Sequence, residues 1–203
     1  ARLQGPQALA MAADGTLLIG DAESNRIRRI RTDATIETAL GDGQGFTGSL
    51  GTEAVSLRPS ALSGAGTYVA DSEAHRIGLF GHAVWTPLYG NGLAGSSGDG
   101  GPASAASFGD IQGLAYDPAG SLYIADQSER VIRKIDLSSG TVSRFAGTGL
   151  SGSGGDGGSA LAASFVAPSG IVLAADGTLY VADAGAHRIR AIDPNGSIHT
   201  VAG

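Results

Sequence analysis

Apolar and polar positions alternate along this chain in short runs, and each run stops at a glycine or a compact turn sequence. The last quarter shows it most clearly. "SGIVLAA" (169–175) is followed by Asp176-Gly177, then "TLYVAD" (178–183), the tripeptide "AGA" and "HRIRAID" (187–193). Pro194-Asn195-Gly196 makes another turn before "SIHTVAG" (197–203). Apolar and polar residues alternate in the second and third of these runs, with Ile189 and Ile192 set among Arg188 and Arg190. Short runs rich in Val, Ile, Tyr and Thr, joined by Asp-Gly and Pro-Asn-Gly, predict four antiparallel strands connected as hairpins. A helical reading fails because glycine or Asp-Gly interrupts the pattern about every ten residues.

The same unit recurs. "TLLIGD", "TYVAD", "SLYIAD" and "TLYVAD" end at Asp21, Asp71, Asp126 and Asp183, which are 50, 55 and 57 residues apart by subtraction. Between the third and fourth copies a shift of 57 superposes Gly90 on Gly147, Asp99 on Asp156, Phe108 on Phe165, Tyr123 on Tyr180 and Arg133 on Arg190. Four strands repeated at this period describe the blade of a β-propeller. The expected fold is all-β, a single propeller domain over 1–203 with repeats of roughly 1–50, 51–100, 101–158 and 159–203. Apolar, small-residue segments suit the crowded axis, so "ALAMAA" (8–13), "GLAYD" (113–117) and "GIVLAA" (170–175) are expected as innermost strands. The second copy is the poorest, since "SALSGAGTYVAD" (60–71) lacks the Asp-Gly turn.

Composition narrows the function classes. Of 203 residues, 42% are hydrophobic and 34 are glycine, which fits a packed core with many tight turns. There is no cysteine, so disulfides and thiolate metal sites are excluded. A net charge of −6 opposes nucleic acid as a partner, although Arg26, Arg28, Arg29 and Arg31 form one basic run. No apolar stretch approaches the ~20 residues of a membrane-spanning helix.

"GTGLSGSGGDGG" (147–158) and "GNGLAGSSGDGG" (90–101) both contain G-x-G-x-x-G. A dinucleotide loop needs a helix and a parallel strand after it, whereas here the run connects one blade to the next. "SALAASF" (159–165) is expected to make one or two helical turns with Ser159 as N-cap. Asp99 and Asp156, set among glycines, are the candidate calcium ligands, with an Asx-turn as the structural alternative. Asp21, Asp71, Asp126 and Asp183 recur once per blade, which marks architecture. Each is expected to accept hydrogen bonds from its own loop or from Arg26, Arg76, Arg130 or Arg188. His75 and His187 are repeat-equivalent, and His82 and His199 lie elsewhere in their blades, so no zinc set is marked out. No G-x-S-x-G elbow occurs and no catalytic nucleophile is assigned.

"DAESNRIRRI", "DSEAHRIGLF", "DQSERVIRKI" and "DAGAHRIRAI" resemble the motif that names the NHL repeats. The glycine stretch leading to "A-S-F" is similar to inter-blade linkers of bacterial NHL proteins and of cell-surface propellers. The resemblance covers essentially the whole chain. In the third copy Glu129-Arg130-Val131 stands where His-Arg-Ile is expected. NHL propellers usually close with six blades, so four imply either a four-bladed ring or a partial arc of a larger, typically six-bladed ring, and such an arc is expected to dimerise or pair with another chain. The resemblance also implies a non-catalytic scaffold whose loops bind a protein or glycan partner, outside the cell or on its surface. The alternative is a propeller lyase or hydrolase with a divalent metal in its central channel.

Overall fold

The computed structural model describes residues 2–12, 14–41, 59–63, 68–81 and 84–203. Among the described residues, sixteen strands form four antiparallel sheets, each in simple meander order. The first blade holds β1 (Pro6–Met11), β2 (Leu17–Asp21), β3 (Arg26–Ile30) and β4 (Ile36–Leu40). The second holds β5 (Pro59–Ser63), β6 (Tyr68–Asp71), β7 (Arg76–Gly81) and β8 (Val84–Tyr89). The third holds β9 (Ile111–Asp117), β10 (Ser121–Asp126), β11 (Val131–Asp136) and β12 (Thr141–Ala146). The fourth holds β13 (Pro168–Leu173), β14 (Leu179–Asp183), β15 (Arg188–Ile192) and β16 (Ile198–Ala202). The 64–67 connection, where the second copy lacks Asp-Gly, lies outside the described residues, as does His82.

The first strands of the blades are the innermost, as their small apolar residues require. β1 packs on β5, β5 on β9 and β9 on β13, and no packing of that extent returns from β13 to β1. Crowding is sharpest at Gly113, where an added Cβ would overlap the Ser169 carbonyl oxygen and press on Ile171 of the neighbouring blade.

The core lies between the blades. Tyr123, Ala125, Ile132 and Ala146 of the third blade meet Leu179, Val181, Ile192 and Ile198 of the fourth. Ala70 and Ile77 of the second meet Leu114, Leu122, Ile124 and Ile135 of the third, where Tyr68 stacks on Tyr116 at 5.9 Å between ring centres. Alternation along each strand supplies both faces. Tyr123 points to the next blade, and its neighbours Leu122 and Ile124 point to the previous one.

The loop between second and third strands turns on a left-handed residue: Asn25 (φ 52°), His75 (53°), Arg130 (56°) and His187 (55°). Asn and His tolerate this conformation better than most non-glycine residues, which gives the asparagine or histidine of the repeat motif a backbone role. It also corrects the alignment of the third copy. Arg130 holds the place of His187, so Val131, and not Arg130, corresponds to Arg188. "SALAASF" forms a single 3-10 turn over Ala160–Ala162, and Ser159 makes no side-chain cap, because that short segment is tied by its backbone to the neighbouring blade edge.

Gly113 and Gly170 occupy equivalent places, but nothing lies within 4 Å of a Cβ built on Gly170. Gly113→Ala should lower stability by about 1–3 kcal/mol through overpacking, and Gly170→Ala by less than about 0.5 kcal/mol. Urea unfolding of the two variants measures the difference.

Candidate functional site

The glycine-rich linkers are built joints. Asp99 lies 34 residues before Arg133, and Asp156 lies 34 before Arg190. The Arg133 guanidinium is fully buried and grips the linker at several points. Its Nη2 and Nε donate to Asp99 Oδ1 at 2.7 and 3.0 Å, Nη1 to the Ser107 carbonyl at 2.7 Å and Nη2 to the Ser97 carbonyl at 3.2 Å. Arg190 repeats this on Asp156 Oδ1 (2.6 and 3.2 Å), the Ser164 carbonyl (2.8 Å) and the Gly154 carbonyl (3.2 Å). Each guanidinium also stacks over a buried ring, Phe108 at 4.9 Å and Phe165 at 5.2 Å. A planar fork on an aromatic face is what arginine provides and lysine does not.

The candidate calcium ligands therefore face a buried cation. Partial burial alone would raise the pKa of Asp156, but the Thr200 hydroxyl, Arg190 and the Thr200 amide together hold it below the ordinary value. Among the described residues, no three His, Asp or Glu side chains gather into a metal-sized cluster. Neither carboxylate makes the anticipated Asx-turn its main contact; the arginine partner in the next blade was the unforeseen element. Its signal was present in the sequence, since both members of each pair recur at the same separation.

The strand-ending aspartates are buried; Asp71 accepts from the Glu73 and Ala74 amides of its own loop, and Asp21, Asp126 and Asp183 reach the start of their own blades. Asp126 accepts from the Gly109 amide at 2.7 Å and from the Glu129 amide at 3.3 Å. Asp183 accepts from the amides of Val166 and Ala167, and Asp21 from the amide of Gln4 and the Ser24 hydroxyl. Burial pushes the pKa of Asp126 up, against the lowering effect of those amides. His75 uses Nδ1 toward the Gly109 carbonyl at 3.0 Å, and Ser72 donates to the Ile111 carbonyl at 2.7 Å, so the second blade is tied to the third. His187 sits at its left-handed corner and His199 lies 3.6 Å from Asp193, in separate parts of the fourth blade.

The two ends of the blades differ. One end carries compact hairpin turns in which Asp14, Asp33, Asp136 and Asp176 accept from their own turns. The Ser138 hydroxyl, with the Ser139 and Ser138 amides, lowers the pKa of Asp136 to about 2. The other end carries the 22–25, 72–75, 127–130 and 184–187 loops together with the beginnings of the linkers. There Leu93 and Leu150, repeat-equivalent and just past β8 and β12, are 64% and 71% exposed. Gly92 and Gly149 seat these tips beside Arg76 and the Glu129 carbonyl.

The family model for the Teneurin NHL domain matches residues 148–203, the last linker and blade. A structural-genomics protein of unknown function from Bacteroides thetaiotaomicron is similar at TM-score 0.71 and 22% identity, over 91% of this chain and 46% of its own. A nidogen–laminin complex is similar at TM-score 0.66 and 18% identity, over 98% and 65%. A virginiamycin B lyase from Staphylococcus aureus is similar at TM-score 0.60 and 16% identity, over 96% and 54%. The chain thus spans about half the length of the bacterial structures it matches.

Asp156→Ala leaves Arg190 buried without its counter-charge and should cost about 3 kcal/mol, measurable by urea unfolding. Millimolar calcium should leave the Tm of the wild-type protein unchanged, since the guanidinium already holds the carboxylate. The Asp136 carboxyl should titrate near 2 by NMR, so what its turn adds to stability is complete above the ordinary carboxylate pKa and is lost as pH falls toward 2. Four meander blades packed in series make the fold a β-propeller, and its last linker and blade are similar to the Teneurin NHL domain.

Proposed function

We propose that this chain is a non-catalytic propeller scaffold that binds another macromolecule, a protein, through the loop-and-linker end of its blades. The observation that supports this most is the exposed Leu93–Leu150 pair. Aliphatic side chains more than half exposed at the tips of two equivalent loops have no role in the blades' own packing. Burying each under a partner would contribute about 1.5–3 kcal/mol. The loops that present them are held by buried aspartates and arginines, so little ordering cost falls on binding.

The chemistry-bearing residues are already engaged in structure. Asp99 and Asp156 are paired with arginine, Asp126 and Asp183 with backbone amides, and His75 with a carbonyl. A lyase or hydrolase with a divalent metal in the channel draws on fold likeness alone. Placement outside the cell belongs to the same proposal, supported by the Teneurin NHL match and by the likeness to a nidogen–laminin complex.

Affinity capture from extracts of the source should recover a protein that the wild-type chain holds and the Leu93→Asp/Leu150→Asp variant holds at least tenfold more weakly, with an unchanged Tm. Equal retention by both proteins, or turnover of a small molecule by metal-loaded protein, would contradict the proposal.

A further inference from the structure

The chain has three asparagines, Asn25, Asn91 and Asn195, and glycine follows the last two. In an Asn-Gly pair the side-chain amide is open to attack by the next backbone nitrogen, because glycine puts no Cβ in the way. Asn91-Gly92 stands at the start of a linker, just past β8, and Asn195-Gly196 in the turn between β15 and β16.

Both side-chain carbonyls are primed as electrophiles. Asn91 Oδ1 accepts from the Leu93 amide at 2.9 Å, and Asn195 Oδ1 from the Ser197 amide at 2.9 Å. A donor on that oxygen stabilises the charge that attack places there. The nucleophiles differ. The Gly196 amide donates to the Asp193 carbonyl at 2.8 Å, and the Asp193 carboxylate accepts from the Ser197 hydroxyl of the same turn at 3.3 Å. The Gly92 amide meets no acceptor among the described residues. The Arg76 guanidinium lies against Gly92 instead, with Nη2 3.2 Å from where a Cβ would stand. An adjacent cation favours the deprotonated amide, and an adjacent carboxylate opposes it.

We propose that Asn91 is a site of self-modification by deamidation, from which Asn195, in the same dipeptide, is held back. The Gly92 nitrogen gives up its proton and bonds to Asn91 Cγ, the Cγ–Nδ2 bond breaks, and that proton leaves on ammonia. One water then opens the cyclic imide at either carbonyl, giving aspartate or isoaspartate with no oxidation or reduction. The change cuts an anchor. Asn91 Nδ2 donates to the Ala105 carbonyl at 3.1 Å and to the Ser107 hydroxyl at 3.2 Å. An ionised carboxylate only accepts, so the Ala105 contact is lost, and isoaspartate also adds a methylene to the backbone of the linker. Thr148, equivalent in the next linker, meets Ser164 with a hydroxyl, which forms no imide. The reaction needs no partner, so it stands apart from the protein-binding proposal.

Incubation of the full chain in mildly alkaline buffer, then mass spectrometry of tryptic peptides, tests it, since Asn91 falls in 77–130 and Asn195 in 191–203. Isoaspartate should form about tenfold faster at 91 than at 195, the combined effect of one hydrogen bond and the opposite neighbouring charges. In urea, where those contacts are gone, the two rates should converge. Arg76→Gln should slow the reaction at 91 and leave that at 195 unchanged. Asn91→Asp should lower Tm, and Asn91→Thr, which copies the equivalent linker, should keep it. Equal native rates, a faster reaction at 195, or an Arg76→Gln variant that reacts as fast as wild type would overturn the proposal. A wild-type Tm in Asn91→Asp would overturn the anchoring role.

Discussion

A four-stranded meander with side chains alternating to both faces has two apolar surfaces and no interior. It is stable only between neighbours. That constraint shapes this chain more than any local propensity does. Ile124 and Tyr123, adjacent in one strand, serve different cores, one shared with the second blade and one with the fourth. Stability is accordingly a sum of blade and interface contributions, as in other repeat architectures. The same reasoning explains why equivalent residues differ so much in exposure along the series. Ile132 and Ile189 have the same identity and register, and only the presence of a neighbour separates them.

Successive blades also need a joint that fixes how each sits on the last. Here the joint is a glycine-rich linker held by a buried guanidinium. Desolvating an arginine is costly unless its donors are matched, and Arg133 and Arg190 are matched to a carboxylate and two carbonyls each. The second blade has Gly78 at this position, with Trp85 packed against it. In the first blade Arg28 has the equivalent position and donates to the Glu37 carbonyl of its own blade. The glycines of the linkers follow from this close fit. At Gly147 (φ +93°) a side chain would press on the Arg130 carbonyl.

Much of this was legible in the sequence. The Asp-Gly turns and alternating runs mark the strands of the fourth blade nearly to the residue, and the repeat spacing identifies the blades. The aspartate recurring once per copy signalled architecture, and the structure shows the backbone amides it accepts from and the left-handed corners that follow it. The arginine partner of Asp99 and Asp156 left a signal in the sequence, the repeated separation of 34 residues, but not one that singles it out. Several arginines lie within reach in sequence, and the blade geometry alone selects the one in the third strand of the next blade. The alignment of Arg130 was misread for a related reason: a left-handed corner accepts Asn, His or Arg, so side-chain identity is a poor guide where φ is the constraint.

Repeat-equivalent truncations measure the central constraint most directly. Ile132→Ala, beneath the fourth blade, should cost about 2–5 kcal/mol in urea unfolding at high dilution. Ile189→Ala, at the same position without a covering blade, should cost less than half as much. Equal losses at the two sites would contradict the account, because they would show that the strand's own sheet, and not the neighbouring blade, supplies the burial.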